Sequence, residues 1–109
     1  MTLQPPDSPA NRATTLDEVR AGVDAVDRQI VALIAERQRW VERAGGIKAA
    51  AGGDGNAVRD PARVERVIAG VRQLAQDSGA SPDIVEGAYR ALIAGFVAHE
   101  LTVHHDATR

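Results

Sequence analysis

The stretch TLDEVRAGVDAVDRQIVALIAERQRWVERAGGIKAA, residues 15–50, decides the fold because its apolar residues recur in steps of three and four. That spacing forms a continuous seam along one side of a helix. Thr15 followed by Glu18 is a capping-box pattern, so we expect the helix to begin there. Gly45 and Gly46 are expected either to break this helix or to permit a close approach. The seam comprises Leu16, Val19, Val23, Val26, Ile30, Leu33, Arg37, Trp40, Ala44 and Ile47.

The remaining two helices are predicted from two helix-start patterns that contain proline. Asp60 precedes Pro61 and Ser81 precedes Pro82, and each pair places a capping residue before proline at the first helical position. Gly79 between them is a helix stop. No alternating strand pattern occurs, so the sequence predicts an all-α fold with three helices per chain and a long first helix. The predicted helices span about residues 15–50, 61–77 and 82–103.

The rest of the chain has the composition of loops and ends. Residues 1–14 are polar and proline-rich, and are predicted to form a disordered leader rather than a signal peptide. The segment AAAGGDGNAV, residues 49–58, is predicted to be a flexible loop. The domain organisation is therefore a leader, a helical domain over residues 15–103 and a flexible tail over residues 104–109.

Composition excludes several function classes. The chain has no cysteine, so disulfides, thiolate metal sites and cysteine nucleophiles are excluded. The net charge of −2 argues against nucleic acid as a partner. No apolar run approaches the roughly 18 residues that span a membrane, and a cytoplasmic location is expected. His99, His104 and His105 do not share one helical face, so no metal site is predicted.

The length of the first helix predicts a dimer. About 35 residues at 1.5 Å per residue extend about 53 Å, whereas a compact chain of this size has a radius of gyration near 13 Å. Two shorter helices cover such a helix only in part. An intertwined homodimer, with the two long helices packed along each other, is the simplest way to bury the seam.

Polar residues interrupt the apolar pattern at specific points. Arg37 lies on the seam, and Lys48 lies about three turns further on the same face, so the pair is spaced to bracket an anion. An ion pair of Arg37 with Asp24, Asp27 or a glutamate of another helix is the alternative. Arg20 is rotated about 100° from Arg37, and is therefore either a surface residue or one that reaches a second copy's pocket.

Glu100 continues the apolar row of Leu92 and Phe96 at four-residue steps. It is predicted either to point into a desolvated site or to face water at the helix end. Asp60 has a sufficient local explanation as a helix cap, and Arg63 as a residue of the first turn.

Together these residues resemble the all-helical chorismate mutase family, which includes isochorismate pyruvate lyase as a close relative. The resemblance rests on VRAGVDAVDRQIVALIAER (19–37), Lys48 after a glycine, VRDPARV (58–64) and VAHEL (97–101). It covers about residues 15–103. The family implies an intertwined dimer of three-helix chains and a cofactor-free rearrangement of chorismate, a small dicarboxylate, to prephenate.

The resemblance also implies roles for individual residues. Arg37 and Lys48 of one chain and Arg20 of the other are expected to be catalytic, together with Glu100, where many relatives have glutamine. Lys48 and Glu100 are assigned to the ether oxygen of the substrate. The wider substrate-binding set is expected to include Asp60, Arg63, Val64 and Phe96.

Departures from the family pattern leave the substrate open. Val64 stands where typical mutases have a glutamate that meets the ring hydroxyl, and Val85-Glu86-Gly87 is similar to the lyase subgroup. Asp60, in contrast, is more typical of mutases. The alternatives are an isochorismate pyruvate lyase, a 4-amino-4-deoxychorismate mutase, and a non-catalytic helical dimer that binds chorismate-like acids.

Overall fold

The computed structural model describes residues 8–52 and 60–107. These ranges form three long helices, α1 (Leu16–Ala50), α2 (Pro61–Ser78) and α3 (Pro82–Ala107). A 3-10 turn, Pro9–Arg12, precedes α1. The described ranges contain no strand, so the predicted all-α fold with three helices and a long first one is confirmed. The homodimer stays a prediction.

Each helix begins at a side-chain cap. The Thr15 hydroxyl accepts a hydrogen bond from the Glu18 N–H at 3.1 Å, and the Asp60 carboxylate accepts one from the Arg63 N–H at 3.0 Å. The Ser81 hydroxyl caps α3 in the same way. Because the first N–H groups of a helix lack partners within it, these caps fix where each helix starts.

Helix α3 packs against both other helices. A short turn through Gly79, which has a left-handed φ of 79°, joins α2 to α3 as an antiparallel hairpin. Contacts between α1 and α3 proceed in the same order along both helices, so these two run parallel. The small core lies where the hairpin meets α1. It contains Ile68, Val71 and Ala75 of α2, Phe96 of α3, and Gly45 of α1.

The first half of α1 extends past this core. Its seam residues are between 45% and 68% exposed, and the chain measures 56 Å along its longest axis. The radius of gyration is 17.7 Å, well above the 13 Å or so of a compact chain of about 100 residues. The exposed seam residues of this half are Leu16, Val19, Val23, Val26, Ile30 and Leu33.

The structure describes the two ends of the chain and the predicted loop only in part. Residues 1–7 of the predicted leader lie outside the described residues, and Pro9–Arg12 contact α1. The helical domain was expected to end at residue 103, but α3 continues through Ala107. His104 is only 7% exposed, so packing holds this last stretch in the helix. In the loop, residues 53–59 also lie outside the described range.

The glycine pair near the end of α1 does not break the helix. A Cβ built on Gly45 would lie 3.1 Å from the Glu100 carbonyl oxygen and 3.2 Å from Val103. A Cβ built on Gly46 would meet nothing within 4 Å. Gly45 therefore permits a close approach of α1 and α3, whereas Gly46 only weakens the helix.

These neighbouring glycines give a matched test. Gly46→Ala is expected to raise the free energy of unfolding by up to about 1 kcal/mol, because alanine favours the helix and meets no neighbour. Gly45→Ala is expected to be less stable than Gly46→Ala by about 1 kcal/mol or more, because a backbone oxygen cannot rotate away. Urea unfolding at one fixed protein concentration, followed by circular dichroism, measures both. Equal stability of the two variants would show that the contact at Gly45 is not tight.

Candidate active site

A cavity of about 450 Å³ opens between the second half of α1, the start of α2 and the second half of α3. Its size lies within the usual range for small-molecule sites. Apolar side chains form most of its wall, and charged groups project from all three helices. Its lining residues are Arg37, Trp40, Val41, Ala44, Lys48, Asp60, Arg63, Val64, Val67, Ile93, Phe96, Val97 and Glu100.

The fold brings together seven of the eight residues that the sequence singled out. The exception is Arg20, which lies 17 residues before Arg37 on α1, or about 26 Å along the helix axis. Its side chain is 71% exposed, and its nearest acidic group is Asp17 at 3.9 Å. Within one chain, Arg20 therefore does not reach the cavity. The seven residues that share the cavity are Arg37, Lys48, Asp60, Arg63, Val64, Phe96 and Glu100.

Lys48 and Glu100 both line the cavity and contact each other. The Lys48 ammonium donates a hydrogen bond to the Glu100 carboxylate at 3.0 Å. The Glu100 side chain is only 9% exposed, and that of Lys48 is 34% exposed. Of the two orientations open to Glu100 from the sequence, the buried one is correct. A cation and a carboxyl group thus stand together at one wall.

Arg37 has no carboxylate partner among the described residues. Its guanidinium carbon lies 5.1 Å from the centre of the Phe96 ring and 5.9 Å from the centre of the Tyr89 ring. The ion pair considered from the sequence is therefore absent within those ranges. Aromatic faces attract the cation without using its N–H groups, so these donors remain available to an anion in the cavity.

The start of α2 contributes groups of opposite charge. Asp60 uses its carboxylate as the helix cap, as expected from the sequence, and holds the first turn in place. Arg63 is exposed at the cavity rim, and the described part of the chain provides no acidic partner for it. Val64 is half-buried beside it and presents an apolar surface at the position where typical members of the resembled family have a glutamate.

The charge of the cavity favours an anionic ligand. Three cations and two carboxylates line it, which leaves a formal charge of +1. A second, more apolar cavity of about 650 Å³ lies between residues 8–13 and α1. Its charged lining residues are Arg12, Glu18 and Asp27, so its formal charge is −1. The first cavity is therefore the candidate site for an acid.

Sequence reasoning missed two interactions around the site. His99, which had been left without a role, lies 2.6 Å from the Glu42 carboxylate and ties α3 to α1. Hydrogen bonding by His99, and then by Gln38, lowers the pKa of Glu42 below its ordinary value. Tyr89 was given no role from the sequence, and its contact with Arg37 depends on how α1 and α3 pack. Neither pair could be recognised from spacing within one helix.

Glu86, part of the motif similar to the lyase subgroup, lies outside the cavity. Its carboxylate accepts hydrogen bonds from Arg72 and Arg90, both at 2.8 Å, and Arg90 also makes a two-pronged pair with Glu65. Bonding to Arg90, followed by Arg72, lowers the pKa of Glu86. This network clamps α2 to α3, so Glu86 has a structural role that is independent of any ligand.

The described residues were compared with the requirements of a metal site and of a membrane span. Within residues 8–52 and 60–107, no group of three or more potential ligands is placed to hold a metal ion. No helix in the same ranges combines the length and the apolar character needed to cross a bilayer.

Comparison with known proteins identifies the family. A search of curated proteins finds no significant match. The family model described as chorismate mutase type II matches residues 19–101, which includes all of the cavity's lining residues. The family description is that of chorismate mutases, a class of isomerase, and the match does not separate them from the isochorismate pyruvate lyase subgroup. Because the match spans most of the sequence, the chain belongs to the type II chorismate mutase family.

Proposed function

We propose that this protein rearranges chorismate to prephenate in the 450 Å³ cavity, as a homodimer. One observation carries the proposal: Arg37, Lys48 and Glu100 meet in a cavity of net positive charge, in a chain of this family. Arg37 keeps its N–H donors unpaired among the described residues, as a receptor for carboxylates requires.

The reaction explains why these residue types suffice. The rearrangement is intramolecular and needs no nucleophile, so the enzyme's task is to hold the two carboxylates in a compact, reactive conformer. Arg37 and Arg63 supply planar donors that suit carboxylates. Negative charge collects on the ether oxygen as its C–O bond breaks, and a donor already placed there stabilises the transition state more than the ground state. Lys48 and Glu100 are assigned that role.

A homodimer would bring Arg20 of a second copy to the cavity and would cover the apolar seam of α1. The exposed apolar stripe of α1 is what a second copy would bury, and Trp40, although it lines the cavity, is 71% exposed. Arg20 lies about 26 Å from Arg37 along the helix, which is too far within one chain but suited to the cavity of a second copy packed along α1. Its addition would raise the formal charge of the site from +1 to +2, matching a dicarboxylate.

Val64 supports a second candidate, isochorismate pyruvate lyase, which forms salicylate and pyruvate. Its apolar side chain lines the cavity where a glutamate would meet the ring hydroxyl of chorismate. Isochorismate carries its hydroxyl at another ring position, and 4-amino-4-deoxychorismate carries an amine instead. Glu86 lends the lyase no support, because its partners are Arg72 and Arg90.

Separate assays of the purified protein with chorismate, isochorismate and 4-amino-4-deoxychorismate test the proposal. We expect prephenate from chorismate, and a loss of kcat/KM of at least about 100-fold in Arg37→Ala, because a carboxylate loses its paired donors. Arg39→Ala is the matched control, since Arg39 is exposed and lies outside the cavity. Formation of salicylate from isochorismate, without turnover of the other two substrates, would favour the lyase. Turnover of none of the three substrates would favour a binding protein.

Mixed dimers test the proposed role of Arg20. Arg20→Ala and Arg37→Ala chains are each expected to be nearly inactive. Refolded together in equal amounts, they should regain about a quarter of wild-type activity, because half the dimers would be mixed and each would hold one intact site. A mixture of Arg37→Ala and Lys48→Ala is the control, since both residues line the same chain's cavity and no intact site can form. Failure of the first mixture to recover would rule out a role for Arg20 across the dimer.

Substitution tests the role assigned to Glu100. Its carboxyl group accepts a hydrogen bond from Lys48 in the structure, whereas donation to the ether oxygen requires a proton on that group. An amide donates without such a proton, so Glu100→Gln is expected to keep or raise kcat/KM for chorismate at neutral pH, whereas Glu100→Ala is expected to lower it. Steady-state kinetics with chorismate measure both variants. Equal losses in the two would contradict the assignment.

A further inference from the structure

The two aromatic rings at Arg37 have different relations to the cavity. Phe96 lines it, whereas Tyr89 does not. Tyr89 lies seven residues before Phe96, or two turns along the same face of α3. We infer that Tyr89 is a positioning residue, which orients the Arg37 guanidinium toward the cavity without touching the substrate. This inference rests on the proposed function.

The geometry shows that both rings contact the same cation, the Arg37 guanidinium. The Arg37 guanidinium carbon is within about 6 Å of both ring centres, the distance at which a ring face attracts a cation. Both Arg37 and Tyr89 are half-buried, and Phe96 is buried, so water screens the attraction less than it would at an exposed site. Two ring faces about two turns apart on α3 restrict the arginine more than either face alone.

The two aromatic rings fix the position of Arg37 without reducing its ability to bind a carboxylate. A carboxylate in the same place would occupy the paired N–H donors and cancel the positive charge. The aromatic pair leaves both in place, because its attraction acts on the face of the guanidinium. The side chain is thereby fixed before the substrate arrives, which lowers the entropy lost on binding.

The Tyr89 hydroxyl is not needed for this role. It makes no hydrogen bond to another described residue, so only the ring face acts on Arg37. Tyr89→Phe therefore keeps the interaction, whereas Tyr89→Leu removes the ring face and keeps an apolar side chain. This pair of variants separates the aromatic face from the hydroxyl.

Steady-state kinetics with chorismate test the inference. Tyr89→Leu is expected to raise KM about threefold to tenfold with little change in kcat, because Arg37 must then be ordered during binding. Tyr89→Phe should match the wild type within about twofold. A purely structural role would instead lower kcat in proportion to the folded fraction and leave KM unchanged. An unchanged KM in Tyr89→Leu, or an equal effect of both variants, would overturn the inference.

NMR spectra of the Arg37 side chain give a readout that needs no substrate. Protons above a ring face are shifted upfield, and the Arg37 signals can be assigned by their loss in Arg37→Lys. We expect the upfield shift to shrink in Tyr89→Leu and to persist in Tyr89→Phe. If the wild type turned over no substrate, the proposed function would fail. The NMR shifts would still show whether Tyr89 orients Arg37. Identical Arg37 shifts in both Tyr89 variants would overturn it.

Discussion

The close approach of α1 and α3 at Gly45 is the contact on which the site depends. A Cβ there would press on the Glu100 backbone, so the helices can come this near only because the residue is glycine. At this separation the Lys48 ammonium reaches the Glu100 carboxylate, at 3.0 Å. A few residues earlier, His99 reaches Glu42 at 2.6 Å. The same packing places the rings of α3 beside the seam arginine.

The charged side chains of the three helices are arranged in two ways. On the outer face of α2 and α3, cations are paired with carboxylates, as in the network around Glu86. In the cavity, Arg37 lies against aromatic rings and Arg63 has no acidic partner within the described residues. Paired charges stabilise the hairpin, whereas the unpaired ones keep the electrostatic attraction that an anionic ligand requires. Lys48 is the exception, because it is paired with Glu100 inside the cavity.

Under the proposed function, the choice of substrate would rest on few side chains. The cations would suit any chorismate-like dicarboxylate, because guanidinium and ammonium groups recognise carboxylates rather than the ring substituent. Val64 is the lining residue that would face that substituent, and its side chain offers no hydrogen bond. An apolar wall discriminates weakly between small substituents, whereas a buried polar group rejects a ligand that leaves it unpaired.

Periodicity and capping residues determined the helices, because both signals are local: the caps at Thr15, Asp60 and Ser81 set their starts. Arg37 also stood out locally, as a cation on an apolar seam. The aromatic residues that contact Arg37 could not be recognised locally. Tyr89 and Phe96 are more than 50 residues away in the sequence and contact Arg37 only when α3 packs on α1. Tertiary structure likewise decided which glycine permits close contact and whether Glu100 is buried. The periodicity of one helix carries no information about the surface that packs against it.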